Sequence, residues 1–82
     1  MANLSLKMLE TFVEVAKTGS MTKAGKLRGT SQGSVSRQIQ SLESHLGTEL
    51  FRRSMALTDA GKKFLPVAEK FVKALGKPKI KR

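Results

Sequence analysis

Apolar residues recur at steps of three and four along four segments of the chain, which is the period of an amphipathic helix. Between these segments stand serine, threonine and glycine, the residue types that favour helix caps and turns. The pattern predicts four helices, over 6–18, 21–28, 32–46 and 59–75.

Cap residues define the predicted helix boundaries. The predicted N-caps are Ser5, Ser20 and Ser31, with Thr58-Asp59 opening the fourth helix, and the predicted glycine stops are Gly19, Gly29 and Gly47. A serine hydroxyl satisfies a free N–H of the first turn, and glycine adopts the left-handed conformation that closes a helix. Within the short second helix, Met21, Ala24 and Leu27 are expected to form a thin apolar face.

Residues 20–47 combine a cap, a short helix, a glycine turn, a second cap and a longer helix. Two helices joined by so short a turn match the helix-turn-helix plan, in which the second helix enters the major groove of DNA. That groove is about 12 Å wide and accepts one helix. The helix over 32–46 is therefore the predicted recognition helix, and the helix before it is predicted to brace it.

Residues 48–57 form an extended piece after the recognition helix. We expect a very short two-stranded wing here, without an Asn-Gly or Asp-Gly turn. The expected fold is mainly α: a winged helix-turn-helix with a three-helix core and a short β wing, followed by a long linker helix. The expected division is a DNA-binding domain over 1–58, a linker or dimerisation helix over 59–75 and a flexible basic tail over 76–82.

The charge of the chain points to a polyanionic partner. Sixteen lysines and arginines stand against six acidic residues, a formal charge of +10. Net charge informs about partners rather than fold, and a basic surface attracts nucleic acid first. Half of the basic residues lie between Lys62 and Arg82, so part of the charge belongs to the predicted tail.

The chemistry of catalysis and of metal binding is missing from the sequence. There is no cysteine and only one histidine, His45, so neither a disulfide nor a metal site is expected. We find no paired carboxylates, no nucleophile beside a base and no phosphate loop, so we expect neither an enzyme nor a cofactor. No targeting or membrane segment is recognisable, which leads us to expect a cytoplasmic protein without a membrane partner.

The start of the recognition helix carries side chains suited to bases and phosphates. An amide such as that of Gln32 pairs with adenine, and a guanidinium such as that of Arg37 pairs with guanine or a phosphate. Gly33 lets the backbone approach DNA closely, and the amides at a helix N-terminus favour a phosphate. The candidate DNA-binding residues are Ser20, Lys23, Ser31, Gln32, Gly33, Ser34, Ser36, Arg37, Arg52 and Arg53.

Other basic residues are interpreted less specifically. Arg52 and Arg53 would reach the DNA backbone or the minor groove from the wing. Lys26 and Arg28 are either backbone contacts or ordinary surface residues.

The apolar pattern of the fourth helix predicts that the chain forms a homodimer. Its apolar stripe would leave a large exposed surface in a monomer. The candidate dimerisation residues are Phe64, Ala68, Phe71 and Leu75. If part of the stripe covers the first helix instead, a monomer results.

These residues resemble the N-terminal DNA-binding domain of the LysR-type transcriptional regulators, from about Leu4 to Val72. The matching segments are 9–16, 19–24, 31–32, 35–39, 42–43, 46–47, 50–53 and 57–61, in the family's order. The resemblance implies three core helices, a wing and a linker helix that pairs two subunits on a partly palindromic site. It also implies DNA-binding roles for Gln32, Ser34, Ser36, Arg37 and Arg53.

The chain departs from the family pattern in four places. Gly33 stands where the family often has proline, and Arg28 stands where it has leucine, with Leu27 one place early. The wing is about three or four residues shorter than usual between Phe51 and Leu57, and lacks the basic residues normally found there. The large effector-binding domain is absent from this sequence, so we expect no small-molecule effector site in it.

Three other interpretations compete with specific recognition of double-stranded DNA. The chain would be a protein-interaction module that has lost DNA reading, a basic amphipathic helix on an anionic membrane, or an RNA-binding module. An interaction module has no need of Gln32, Ser36 and Arg37 on one exposed face. RNA is a weaker hypothesis because the chain has no tyrosine or tryptophan to stack on bases.

Overall fold

The computed structural model describes residues 5–75, and the predicted basic tail lies outside this range. The helices are α1 Leu6–Thr18, α2 Met21–Arg28, α3 Gln32–Leu46 and α4 Asp59–Leu75. These bounds are the ones that the apolar period predicts. Among the described residues, no helix is both long enough and apolar enough to cross a bilayer.

The predicted caps set the ends of the first three helices. Each begins at a serine whose hydroxyl accepts a hydrogen bond from the N–H three residues later: Ser5 from Met8, Ser20 from Lys23, and Ser31 from Ser34, at 3.1–3.2 Å. Each ends at a glycine with φ between 71° and 74°, namely Gly19, Gly29 and Gly47. A serine cap contributes about 1 kcal/mol relative to alanine. Local chemistry therefore determines where these helices begin and end.

Helix α1 lies at the centre of the molecule and packs against the other three helices. Phe12 of α1 is fully buried, and its ring centroid lies 5.5 Å from those of both Phe51 and Phe64. The fully buried hydroxyl of Thr11 donates to the side-chain oxygen of Gln38 on α3. Apolar packing and one buried hydrogen bond thus fix α3, the wing and α4 on a single helix.

The contact of α1 with α2 corrects the prediction for Leu27. This side chain is 66% exposed, whereas the guanidinium of Arg28 lies 2.9 Å from the carboxylate of Glu10. Arg28 follows the buried Ala24 by four residues and shares its row on the helix, while Leu27 is turned away by about 100°. Arg28 therefore takes the inward position, and a partly exposed ion pair of this kind contributes less than about 1 kcal/mol.

The wing is smaller than the predicted two-stranded ribbon. It consists of one antiparallel bridge between Phe51 and Leu57. Beyond the bridge, the N–H of Arg52 donates to the carbonyl of Ala56 at 2.8 Å, and the N–H of Met55 donates to the carbonyl of Arg52 at 2.9 Å. Met55 has a φ of 74°, as expected for the last residue of a three-residue hairpin loop.

The start of α4 is attached to the wing through Thr58. Its N–H donates to the carbonyl of Leu50 at 2.9 Å, and its hydroxyl donates to the carbonyl of Glu49 at 2.7 Å. The same hydroxyl accepts from the N–H of Gly61 at 3.0 Å, so Thr58 is also the cap of α4. Gly61 lies against Leu50 so closely that an added Cβ would stand 2.3 Å from the carbonyl oxygen of Leu50.

Helix α4 continues through Pro66 and packs on α1. Its inner face includes the fully buried Ala68 and the half-buried Phe64, which contacts Phe12. These two candidate dimerisation residues are thus occupied within the chain itself. The exposed apolar residues of α4 are Val67 at 45%, Phe71 at 47% and Leu75 at 64%.

We predict that Gly61→Ala lowers the free energy of unfolding by about 1–3 kcal/mol, because the new methyl group forces α4 away from Leu50. Gly33→Ala is the control, since the nearest atom to its added Cβ is the Ser31 hydroxyl at 4.0 Å. This control should cost nothing or stabilise by up to ~1 kcal/mol. Urea unfolding measures both, and equal midpoints for Gly61→Ala and wild type would contradict the prediction.

Candidate nucleic-acid interface

The recognition surface is built on the two faces of α3. Its inner face buries Val35, Ile39 and Leu42 against the core. On the outer face, Gln32, Ser36 and Gln40 are spaced by four residues and therefore form one row along the helix. Packing of the inner face thus determines which amide and hydroxyl groups the outer face presents.

The start of α3 combines exposed residues with a backbone that other molecules can approach. Gln32, Gly33 and Arg37 are exposed, and Ser34 is half-buried with its N–H bonded to the Ser31 hydroxyl. The space around Gly33 is open, so another backbone or a phosphate can approach it. Helix N-termini attract anions because their first N–H groups have no partner within the helix and the dipole is positive there.

Helix α2 braces α3 through a close turn. The N–H of Thr30 donates to the carbonyl of Gly25 at 2.8 Å, and an added Cβ at Gly25 would lie 2.8 Å from the Thr30 oxygen. At the other end of α2, Ser20 is half-buried and caps the helix, while Lys23 is exposed. The turn therefore holds the start of α3 at a fixed position relative to α2.

A cleft of about 320 Å³ separates α3 from the wing. Ser36 and Gln40 line its α3 side, and Arg52 and Arg53 line its wing side. Both arginines are exposed. The cleft thus brings the middle of the recognition helix and the basic residues of the wing together.

Glu43 fixes the wing to α3. One oxygen of its carboxylate accepts hydrogen bonds from the N–H groups of Leu50 and Phe51, at 2.8 and 3.2 Å. Its backbone carbonyl accepts from Gly47 and Thr48 at the end of the helix. The position of the two arginines relative to α3 therefore depends on a side chain of α3 itself.

The structure brings the ten candidate residues together in three groups. The first is the start of α2, the second is the first half of α3, and the third is the wing. Among the other basic residues, Lys26 is exposed, whereas Arg28 is half-buried and paired with Glu10.

The candidate set omits two residues that shape this surface. Gln40 continues the row of Gln32 and Ser36, and its spacing of four residues was a usable signal in the sequence. Glu43 bonds to amides seven and eight residues away, and no local pattern signals such a contact. Among residues 5–75, no group of three or more histidine, cysteine, aspartate or glutamate residues is placed to hold a metal ion.

The sequence profile described as "Bacterial regulatory helix-turn-helix protein, lysR family" matches residues 6–62, from α1 to the start of α4. This chain belongs to the LysR family. The resemblance noted in the sequence is thereby confirmed, and so is the winged helix-turn-helix fold class.

Two proteins of similar sequence are named as transcriptional regulators or activators. The protein named "Probable nitrogen assimilation transcriptional activator" of Synechococcus elongatus is 43% identical over 65 residues, which are 77% of this chain and 21% of that protein. The HTH-type transcriptional regulator BudR of Klebsiella aerogenes is 44% identical over 64 residues, which are 74% of this chain and 45% of BudR. The chain thus spans about a fifth of the first of these LysR relatives and less than half of the second.

Solved structures of family members share the fold. The DNA-binding domain of CbnR, solved in complex with DNA, superposes with a TM-score of 0.83 at 37% identity, covering 89% of this chain and 87% of that one. The structure of Vibrio fischeri DarR in complex with DNA gives a TM-score of 0.85 at 36% identity, covering 89% of this chain and 26% of DarR. This LysR-family chain therefore corresponds in extent to an isolated domain such as that of CbnR.

We predict that Glu43→Ala lowers the free energy of unfolding by about 1.5–3 kcal/mol, because two backbone N–H groups lose a charged acceptor. Glu43→Gln is the matched variant. Its single amide oxygen still accepts both bonds, so the loss should stay below ~1 kcal/mol.

Hydrogen exchange measures the same contact directly. The amides of Leu50 and Phe51 should exchange faster in Glu43→Ala and stay protected in Glu43→Gln. Wild-type protection of both amides in Glu43→Ala would show that the carboxylate does not hold the wing.

Proposed function

We propose that this chain binds double-stranded DNA sequence-specifically as a homodimer and thereby regulates transcription in the cytoplasm. The observation that carries the proposal is the row of the exposed Gln32, the half-buried Ser36 and the exposed Gln40 on α3, with the exposed Arg37 beside it. These amides and the guanidinium match the hydrogen-bonding edges that bases present in the major groove. The similar proteins CbnR and DarR were both solved in complex with DNA.

The side chains of α3 recognise the bases. Gln32 lies in the first turn and Arg37 in the second, so a helix that enters the major groove end-on presents both to base edges. We assign adenine to Gln32 and guanine to Arg37, because these are the bidentate pairings their shapes allow. One good pairing of this kind contributes about 1–3 kcal/mol of discrimination against a wrong base.

The groups around these base-reading side chains bind phosphates. The starts of α2 and α3 offer N–H groups and the hydroxyls of Ser20 and Ser31, and Lys23 is exposed in the first turn of α2. Arg52 and Arg53 add two positive charges from the wing side of the cleft. Such contacts set the register of a protein on the duplex and leave sequence reading to the bases.

Pairing of two copies is assigned to the exposed side of α4. Val67, Phe71 and Leu75 are spaced by four residues and stay about half exposed or more in the single chain. A second copy that covers this row would place two recognition helices on the two halves of a palindromic site. The interaction-module hypothesis explains the α4 row alone, whereas DNA recognition explains both the α4 row and the polar face of α3.

We predict that Gln32→Ala and Arg37→Ala each weaken binding to a selected operator by about 1–3 kcal/mol per half-site and relax preference at one position of each half-site. Lys73→Ala is the control for lost positive charge, because Lys73 is exposed on α4, a helix that does not contact α3. Selection from a random duplex pool at near-physiological salt gives both quantities. A wild-type chain that binds every duplex equally would refute specific reading.

We predict that Phe71→Glu raises the dimer dissociation constant at least about tenfold, because a carboxylate at the interface would lose its hydration without a partner. Leu27→Glu is the control: Leu27 is also an exposed apolar residue, at 66% against 47% for Phe71, but it lies on α2. Sedimentation equilibrium of the full chain measures both. If the two variants associate equally well, or if wild type is a monomer at high concentration, the α4 row is not the dimer contact.

A further inference from the structure

The wing is very short. Phe51 and Leu57 form its one bridge, and five residues lie between them. Two further hydrogen bonds close the loop at Arg52, so that Arg53, Ser54 and Met55 form the turn. At a rise of about 3.3 Å per residue, such a loop projects at most ~10 Å beyond the bridge.

One of the three loop residues faces inward. Met55 is half-buried and packs against the hydrophobic core. Ser54 accepts a hydrogen bond from the N–H of Ala56 at 3.4 Å, within the loop itself. The charged groups that the wing offers to DNA are therefore Arg52 and Arg53.

Both arginines lie on the side of the wing that faces α3. They line the cleft whose opposite side is formed by Ser36 and Gln40. Glu43 and Glu49 also line this cleft, and Glu43 is bonded to the amides of Leu50 and Phe51. Because carboxylates repel a phosphate, the arginine side is where a phosphate fits.

This placement determines what the wing meets when α3 occupies a major groove. The edges of that groove are the phosphate backbones, and the adjacent minor groove lies beyond them. Because Arg52 and Arg53 line the cleft between the wing and α3, they meet these phosphates first.

We propose that Arg52 and Arg53 bind phosphates of the strand that borders the α3-occupied major groove, and that the wing does not read the minor groove. This inference rests on the proposed function. Sequence preference then comes only from the base pairs that α3 contacts. The wing contributes affinity that does not depend on the sequence. Each phosphate contact makes the fall of log affinity with log salt concentration steeper by about 0.9.

The first test is the salt dependence of operator binding. Because each subunit of the dimer loses one phosphate contact, Arg52→Ala and Arg53→Ala should each reduce the magnitude of the slope by about 1.8 and weaken binding about ten- to hundredfold, equally for operator and unrelated duplexes. Arg53→Lys should restore most of the slope, because a phosphate accepts either cation. Lys73→Ala should leave the slope unchanged. Unchanged slopes in both alanine variants would overturn the inference.

The second test compares flanking G·C pairs with inosine·C pairs, which differ only by the guanine amino group in the minor groove. Replacing flanking A·T pairs by G·C adds the guanine amino group to the minor groove, and replacing them by inosine·C pairs does not. Wild type should bind all three operators within about twofold. A loss of fivefold or more with G·C, restored by inosine and absent in Arg53→Ala, would show minor-groove reading and overturn the inference.

The two proposals fail in different ways. A wild-type chain without preference for any duplex refutes the proposed function. A chain that prefers its operator but senses the flanking amino group retains that function and loses only this inference about the wing.

Discussion

The backbone of Leu50 is the constraint on which the functional geometry depends. Its N–H donates to the Glu43 carboxylate of α3, and its carbonyl accepts from Thr58 at the start of α4. The side chain is fully buried, and Gly61 leaves room for the carbonyl where any Cβ would collide. One residue thus joins the recognition helix, the wing and the linker helix, so a shift at this point changes all three relations together.

Helix α1 provides the second constraint, because it holds α2, α3, the wing and α4 without belonging to the proposed DNA surface. Phe12 contacts Phe51 and Phe64, and Thr11 bonds to Gln38. The Glu10–Arg28 pair holds α2, at the position where the family pattern has an apolar residue. A partly exposed ion pair contributes less than a buried leucine, so α2 relies more on its turn with α3.

The proposed interface separates base reading from affinity. Amides and a guanidinium on α3 present directional hydrogen bonds, whereas the cap hydroxyls, helix N-termini and wing arginines present charge and free donors. A wing reduced to one bridge keeps its arginines next to α3. In these proposals the recognition helix carries the whole of the specificity within each half-site, and pairing through the Val67, Phe71 and Leu75 row of α4 would supply the second half-site.

The sequence alone determined the four helix bounds, the caps, the fold class and the polar face of α3, because caps act over three residues and the helical period over four. Only the tertiary structure decided that Arg28 rather than Leu27 turns inward, that Phe64 and Ala68 serve the chain's own core, and that Glu43 holds the wing. These outcomes depend on which helices meet and at what distance. A local pattern shows that a stripe is apolar, but the partner that covers it is set by packing between residues far apart in the chain.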